Sequence, residues 1–114
     1  GGIYAQNLNY NGTLGPVGIT QTSTEIPGSF RLEQNYPNPF NGQTVIGFSL
    51  NRAGMTSLEI FDMLGRKIAE PFRQDLQAGS YSYSLSTEGL PSGVYIYRVS
   101  SGGNMLVRKM TLTR

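Results

Sequence analysis

Residues 80–85 (SYSYSL) alternate serine with Tyr81, Tyr83 and Leu85, and this two-residue period constrains the fold more than any other feature of the chain. Successive side chains on a strand point to opposite faces, so such a run buries one face and wets the other. The same period returns at residues 43–50 (QTVIGFSL), with Ile46, Phe48 and Leu50 in phase, and at 56–61 (TSLEIF), with Leu58 and Ile60 opposite Glu59. Residues 93–99 set Tyr95, Tyr97 and Val99 against Val94, Ile96 and Arg98, and residues 105–112 set Leu106, Met110 and Leu112 against Val107 and Lys109. Shorter candidates are residues 30–34 and 67–72, where Pro71 indicates a short or edge strand.

Turn signals separate these runs: Asn41-Gly42, Ala53-Gly54, Leu64-Gly65, Ala78-Gly79, Pro91-Ser92-Gly93 and Gly102-Gly103. Helical periodicity is absent. The pattern predicts an all-β fold, an immunoglobulin-like antiparallel β-sandwich of about seven strands, with Phe48, Leu58, Ile60, Leu85, Tyr97 and Leu112 in its core. Upstream, residues 15–29 mix Gly, Pro, Ser and Thr without sustained alternation and read as a linker, the expected place for a protease to cut. Residues 1–14, with a possible strand over 3–10 and a turn at Asn11-Gly12, read as the tail of an upstream domain or repeat. The domain proper is expected over 30–114.

The 114 residues contain no histidine, cysteine or tryptophan, which removes the Ser-His-Asp triad, cysteine nucleophiles, His/Cys zinc sites and disulfides. Nine basic residues against seven acidic ones give a net charge of +2, weak support for a nucleic-acid surface. The charges are unevenly placed: beyond Glu88 no carboxylate follows, while Arg98, Arg108, Lys109 and Arg114 do. Cations there suit a solvated strand edge, since they discourage edge-to-edge pairing, or a basic end read by a partner. No apolar stretch approaches the ~20 residues of a membrane helix, and no signal peptide is visible. Opening on Gly1-Gly2 without methionine, the chain reads as a fragment whose targeting signal lies upstream.

The most distinctive segment is Asn35-Tyr36-Pro37-Asn38-Pro39-Phe40-Asn41. Its prolines fix their own φ and push the preceding residues toward extended backbone, so it is expected to be a stiff corner pinned by Tyr36 and Phe40. Its asparagines could offer carbonyls to calcium, but no carboxylate lies between Glu33 and Glu59, and no metal is expected. Asp62, Gly65 and Arg66 read as a turn, with an Asp62–Arg66 ion pair across it. Glu59 and Asp62, three apart on a strand, point to opposite faces and do not form a glycosidase pair. Tyr81, Tyr83, Tyr95 and Tyr97 alternate within strands and are expected in the core with their hydroxyls at its rim, which disfavours a sugar-stacking or single-strand nucleic-acid platform.

Five blocks carry a family resemblance: 30–41 through Tyr36-Pro37-Asn38-Pro39-Phe40 followed by 44–50, 60–66 with Asp62, Gly65 and Arg66, 78–81, 90–98 with Gly93 and Tyr95, and 108–112. In this order and spacing the chain resembles the type A C-terminal sorting domains of the type IX (Por) secretion system of Bacteroidetes-type bacteria. Gly42-Gln43 departs from the Pro-Ser common in that family, and Arg114 stands where lysine is common. An immunoglobulin-like domain of flagellar hook-capping proteins shares some blocks. The Tyr36–Phe40 motif and a chain end just after Leu112 favour the sorting domain.

The resemblance implies a non-enzymatic, cofactor-free export signal carried in cis by a cargo domain. It implies recognition by the outer-membrane translocon and cleavage by a surface peptidase. Passage then runs through the periplasm to the cell surface or extracellular space, with the cargo in some cases attached to lipopolysaccharide. It places translocon recognition on the last strand, at Arg108, Lys109, Met110, Leu112 and Arg114. By phase, Met110 and Leu112 serve the core and Lys109 faces a partner. The alternative is an immunoglobulin-like module retained for binding carbohydrate or the cell surface.

Overall fold

A computed structural model of the chain describes residues 18–87 and 89–113. The possible strand over 3–10, its turn at Asn11-Gly12, and Arg114 lie outside the described residues. Nine strands form among the described ones: β1 (Ile19–Ser23), β2 (Arg31–Leu32), β3 (Tyr36–Asn41), β4 (Gln43–Leu50), β5 (Gly54–Phe61), β6 (Lys67–Leu76), β7 (Gly79–Ser86), β8 (Gly93–Ser101) and β9 (Asn104–Leu112). One sheet runs β1-β7-β4, with β2 and β3 on the far edge of β4; the other runs β3-β9-β8-β5-β6. The chain crosses between sheets from β4 to β5, returns from β6 to β7, and crosses again to β8. That is the wiring of an immunoglobulin-like sandwich, in which the strand after β5 stays in the sheet of β5, β8 and β9.

The apolar phases meet between the layers. Ile46, Phe48 and Leu50 of β4 face Leu58 and Ile60 of β5, Tyr97 and Val99 of β8, and Met110 and Leu112 of β9; all are at most 2% exposed. The six core positions named from the sequence are therefore all buried. Phe48 stacks on Tyr81 and Phe72 with ring centroids 5.4 and 5.9 Å apart. Burying each such aromatic removes ~150–250 Å² from water, which is where the sandwich gains most of its stability.

Three expectations need correction. Residues 35–41 are a strand rather than only a corner: β3 pairs with β4 at Tyr36↔Val45 and Asn41↔Gln43, with an irregularity between them, then pairs in parallel with β9 at Phe40↔Leu112. It thus belongs to both sheets and closes one side of the sandwich. The strand expected over residues 30–34 shrinks to Arg31 and Leu32, with one further bond in the same register from the Glu33 N–H to the Gly47 carbonyl (2.8 Å). And residues 19–23 of the expected linker form a strand, β1, on the edge of β7.

The seat of β1 is Gly79, at φ +148°, where a Cβ would sit 2.7 Å from the Ser23 carbonyl oxygen. A side chain there is both strained and in collision with β1. Gly79→Ala should cost about 1–3 kcal/mol in chemical denaturation. It should also strip β1 of amide-exchange protection while β4 keeps its own. Retained protection across β1 would contradict this seating.

Candidate functional site

The last strand, β9, is held on one side by β8 in an unbroken register from Gly93↔Leu112 to Ser101↔Asn104. On its other side it is held by residues 34–40, mostly through side chains. Gln34 Nε2 donates to the Lys109 carbonyl (2.7 Å), the Thr111 N–H donates to Asn38 Oδ1 (2.9 Å), and the Thr113 N–H donates to the Phe40 carbonyl (2.8 Å). Side chains do this work because Pro37 and Pro39, both preceded by cis peptide bonds, have no N–H to give.

Beneath this seam lies a buried polar knot. Asn35 is 2% exposed; its amide Nδ2 donates to the Pro37 carbonyl (3.1 Å) and to Thr44 Oγ1 (3.0 Å). The hydroxyl of Tyr97, a fully buried residue, donates to the Glu33 carbonyl (2.7 Å) and accepts from the Asn35 N–H (2.8 Å). Burial pushes this phenol up to about 12, so it stays a neutral donor across the physiological range. The Tyr97 hydroxyl is thus inside the sandwich, not at its rim as the alternation predicted. Tyr81 and Tyr95 do reach rim carbonyls four residues back, at Gln77 (2.7 Å) and Pro91 (2.6 Å). With Tyr81, Tyr95 and Tyr97 buried and Tyr83 half-buried, these strand tyrosines offer no outward stacking face.

The residues expected from the last strand separate by phase. Met110 and Leu112 are buried at 0% and 1% exposure, and Lys109 is exposed. Arg108 is exposed but engaged, its Nε donating to the Leu32 carbonyl at 2.6 Å. In the Tyr36–Phe40 motif, Phe40 is buried while Tyr36 is 79% exposed, so only one of the two aromatics pins the segment. Asp62 makes the expected turn: its Oδ1 accepts from the Leu64 and Arg66 N–H groups (2.9 and 3.0 Å), and Oδ2 accepts from Arg66 Nε (2.8 Å). Those backbone N–H bonds, Arg66 first, hold the Asp62 carboxyl below its usual range. Gly65 supplies φ +85° in the same turn. The outer face of β5 and β8 carries a charge network that the sequence did not announce. Arg98 grips Glu59 at 2.6 Å and lies 4.8 Å over the Phe61 ring, while Lys67 reaches Glu59 at 3.2 Å and Glu70 at 2.8 Å. Arg73, then Lys67, draw the Glu70 carboxyl down to about 2. Among the described residues no group of three or more acidic, histidine or cysteine side chains could hold a metal, and no helix is long and apolar enough to cross a membrane.

The family model for secretion system C-terminal sorting domains matches residues 34–113, so it begins at the Gln34–Lys109 seam and ends at the Thr113–Phe40 bond. The chain belongs to that family of sorting domains. This agrees with the resemblance to the type IX kind carried by the motif blocks. No curated protein matches the chain.

Asn35, Gln34, Thr44 and the Tyr97 hydroxyl are the residues that sequence reading missed. Tyr97 lies 62 positions from Asn35 in the chain, so no local pattern links them. Tyr97→Phe leaves the buried Asn35 N–H without its acceptor and the Glu33 carbonyl without that donor, and should cost about 1–3 kcal/mol. Urea denaturation reads this directly. An unchanged midpoint would contradict the structural weight given to this bond.

Proposed function

We propose that the domain is a non-enzymatic export signal, read at its last strand by the outer-membrane translocon of the type IX system and then discarded by a surface peptidase. Its cargo is carried upstream in cis, with residues 1–14 as the tail of that cargo, and is delivered through the periplasm to the cell surface or extracellular space. The observation that carries this reading is the family match across residues 34–113, which spans both the Tyr36–Phe40 motif and the last strand.

Within the strand, Lys109 is the contact residue, together with Arg114 beyond it. Met110 and Leu112 hold the strand in place, and Arg108 ties it to residue 32. Supporting this division are the burial of Met110 and Leu112, the exposure of Lys109, and the Arg108–Leu32 bond. Cations on an exposed strand give a partner both charge and backbone to read. For release, the linker over 15–29 is the place to cut. While β1 is docked on β7 it removes residues 19–23 from a protease's reach, leaving residues 24–29 as the favoured stretch on the domain side of β1.

A fusion of residues 18–114 behind a fluorescent protein, expressed in a bacterium with this secretion system, should reach the medium or cell surface. Lys109→Gln with Arg114→Gln keeps every apolar anchor, should fold with a near-normal thermal midpoint, and should be exported poorly. A folded double variant exported at the normal rate would show that charge is not what the translocon reads. The N-terminus of the released domain, read by mass spectrometry, should fall within residues 24–29; a cut after Phe40 would sink the release scheme.

A further inference from the structure

Alternate residues of β9 turn their backbone groups toward β8 and away from it. The Lys109 carbonyl and the Thr111 and Thr113 N–H groups mark the outward set, all bonded to residues 34–40. Those residues follow only the lower half of the strand. Above Lys109 the chain leaves: Arg31 and Leu32 pair with Ser49 and Phe48 of β4, and Glu33 bonds Gly47. The outward N–H and C=O groups of Met105 and Val107, and the N–H of Lys109, are thereby left without a partner among the described residues. Between this edge and residues 30–33 an open groove of about 390 Å³ remains, lined on the strand side by Leu106, Val107 and Arg108.

The other free edges are guarded. β6 carries two register shifts and Pro71. β1 is five residues long and bulged between Gln21 and Ser23. Short strands, bulges and prolines are the usual devices against edge pairing. β9 has none of these three along residues 104–112, where its register is continuous; the guard it does carry is charge, Arg108 and Lys109, which repels a cationic strand and leaves an acidic one free to pair. Its edge is regular, open and flanked by a groove.

We propose that this groove is a strand-addition site: one extended segment of a partner protein pairs its backbone with Met105, Val107 and Lys109. Charge and burial set its side chains. The half-buried Leu106 and Phe30 on the inner side, and the exposed Val107 on the outer, call for apolar residues opposite 106 and 107. Arg108 and Lys109, with Arg31 on the facing wall, call for carboxylates opposite 108 and 109; Glu33 lies on that wall too and lowers the net positive charge. From Met105 to Lys109 is four strand steps, about 13 Å, enough for a four- to five-residue segment. The sorting reading enters only in naming the supplier of the strand, the export machinery.

The probe is a blocked hexapeptide, threonine–aspartate–glutamate–valine–isoleucine–threonine, titrated into the folded domain with amide shifts and exchange followed by NMR. Met105 and Val107 amides should shift and gain protection, and a counterpart with lysines for both acids should bind about three- to fivefold more weakly. Val107→Pro removes an outward N–H and no bond to β8, so it should fold and lose peptide binding, and its fusion should lose export while Val107→Thr keeps it. Absence of shifts at Met105 and Val107 would overturn the site, and so would undiminished binding by a folded Val107→Pro. If Val107→Pro fails to fold, the titration of the unaltered domain decides alone. Sedimentation showing that the unaltered domain dimerises through this edge would give the site to a second copy and overturn the proposal. Normal export of a folded, non-binding Val107→Pro would overturn the export machinery as supplier with the sorting reading intact. Failed export of the unaltered fusion would count against the sorting reading alone.

Discussion

Everything near the last strand depends on how β3 is stitched to it. Two of the six β3 residues are prolines and cannot donate to a ladder, so an ordinary strand pair is not available. The bonds are instead made by Gln34 and Asn38 side chains and by the backbone of Phe40, each reaching an outward group of β9. Phe40 is driven into the core beside Leu112, which fixes the register of the parallel contact. Asn35 and Tyr97 lock the entry to this segment from below, in a setting where an unmade hydrogen bond is costly.

This stitching joins the Tyr36–Phe40 motif to the last strand, both of which lie within the residues the family model matches. They are far apart in sequence and adjacent in space. β3 seals the lower half of the β9 edge and leaves the upper half open, so one segment both secures the strand and limits how much of it is offered. The cations of the sheet are divided in a similar way. Arg98, Lys67 and Arg73 are taken up by Glu59 and Glu70, and Arg108 by the Leu32 carbonyl. Lys109 has its charge free of an ion pair among the described residues, at the place where the reading of function needs it.

Much of the sandwich was legible because its strands alternate. Residues 43–50 match β4 at both ends, and the phases of β5, β7, β8 and β9 put Leu58, Leu85, Tyr97 and Leu112 inside as expected. β1 (ITQTS) carries one apolar residue and no alternation, so it read as linker; what places it is the open edge of β7 and a glycine seat at residue 79. β3 was hidden by the prolines that make its pairing irregular. For the site, phase separated Lys109 from Met110 and Leu112. The engagement of Arg108 and the interior position of the Tyr97 hydroxyl depend on residues more than sixty positions away, which local patterns do not encode.

The central claim is that the side chains of Gln34 and Asn38, together with the backbone of Phe40, hold the lower half of β9. Native-state hydrogen exchange on Asn38→Ala tests it most directly, because Asn38 is exposed and its Oδ1 accepts from a single β9 amide, that of Thr111. The account predicts that the Thr111 amide exchanges roughly tenfold faster while the amides of β4 and β7 keep their rates. An unchanged Thr111 rate, or an equal acceleration across both sheets, would contradict it.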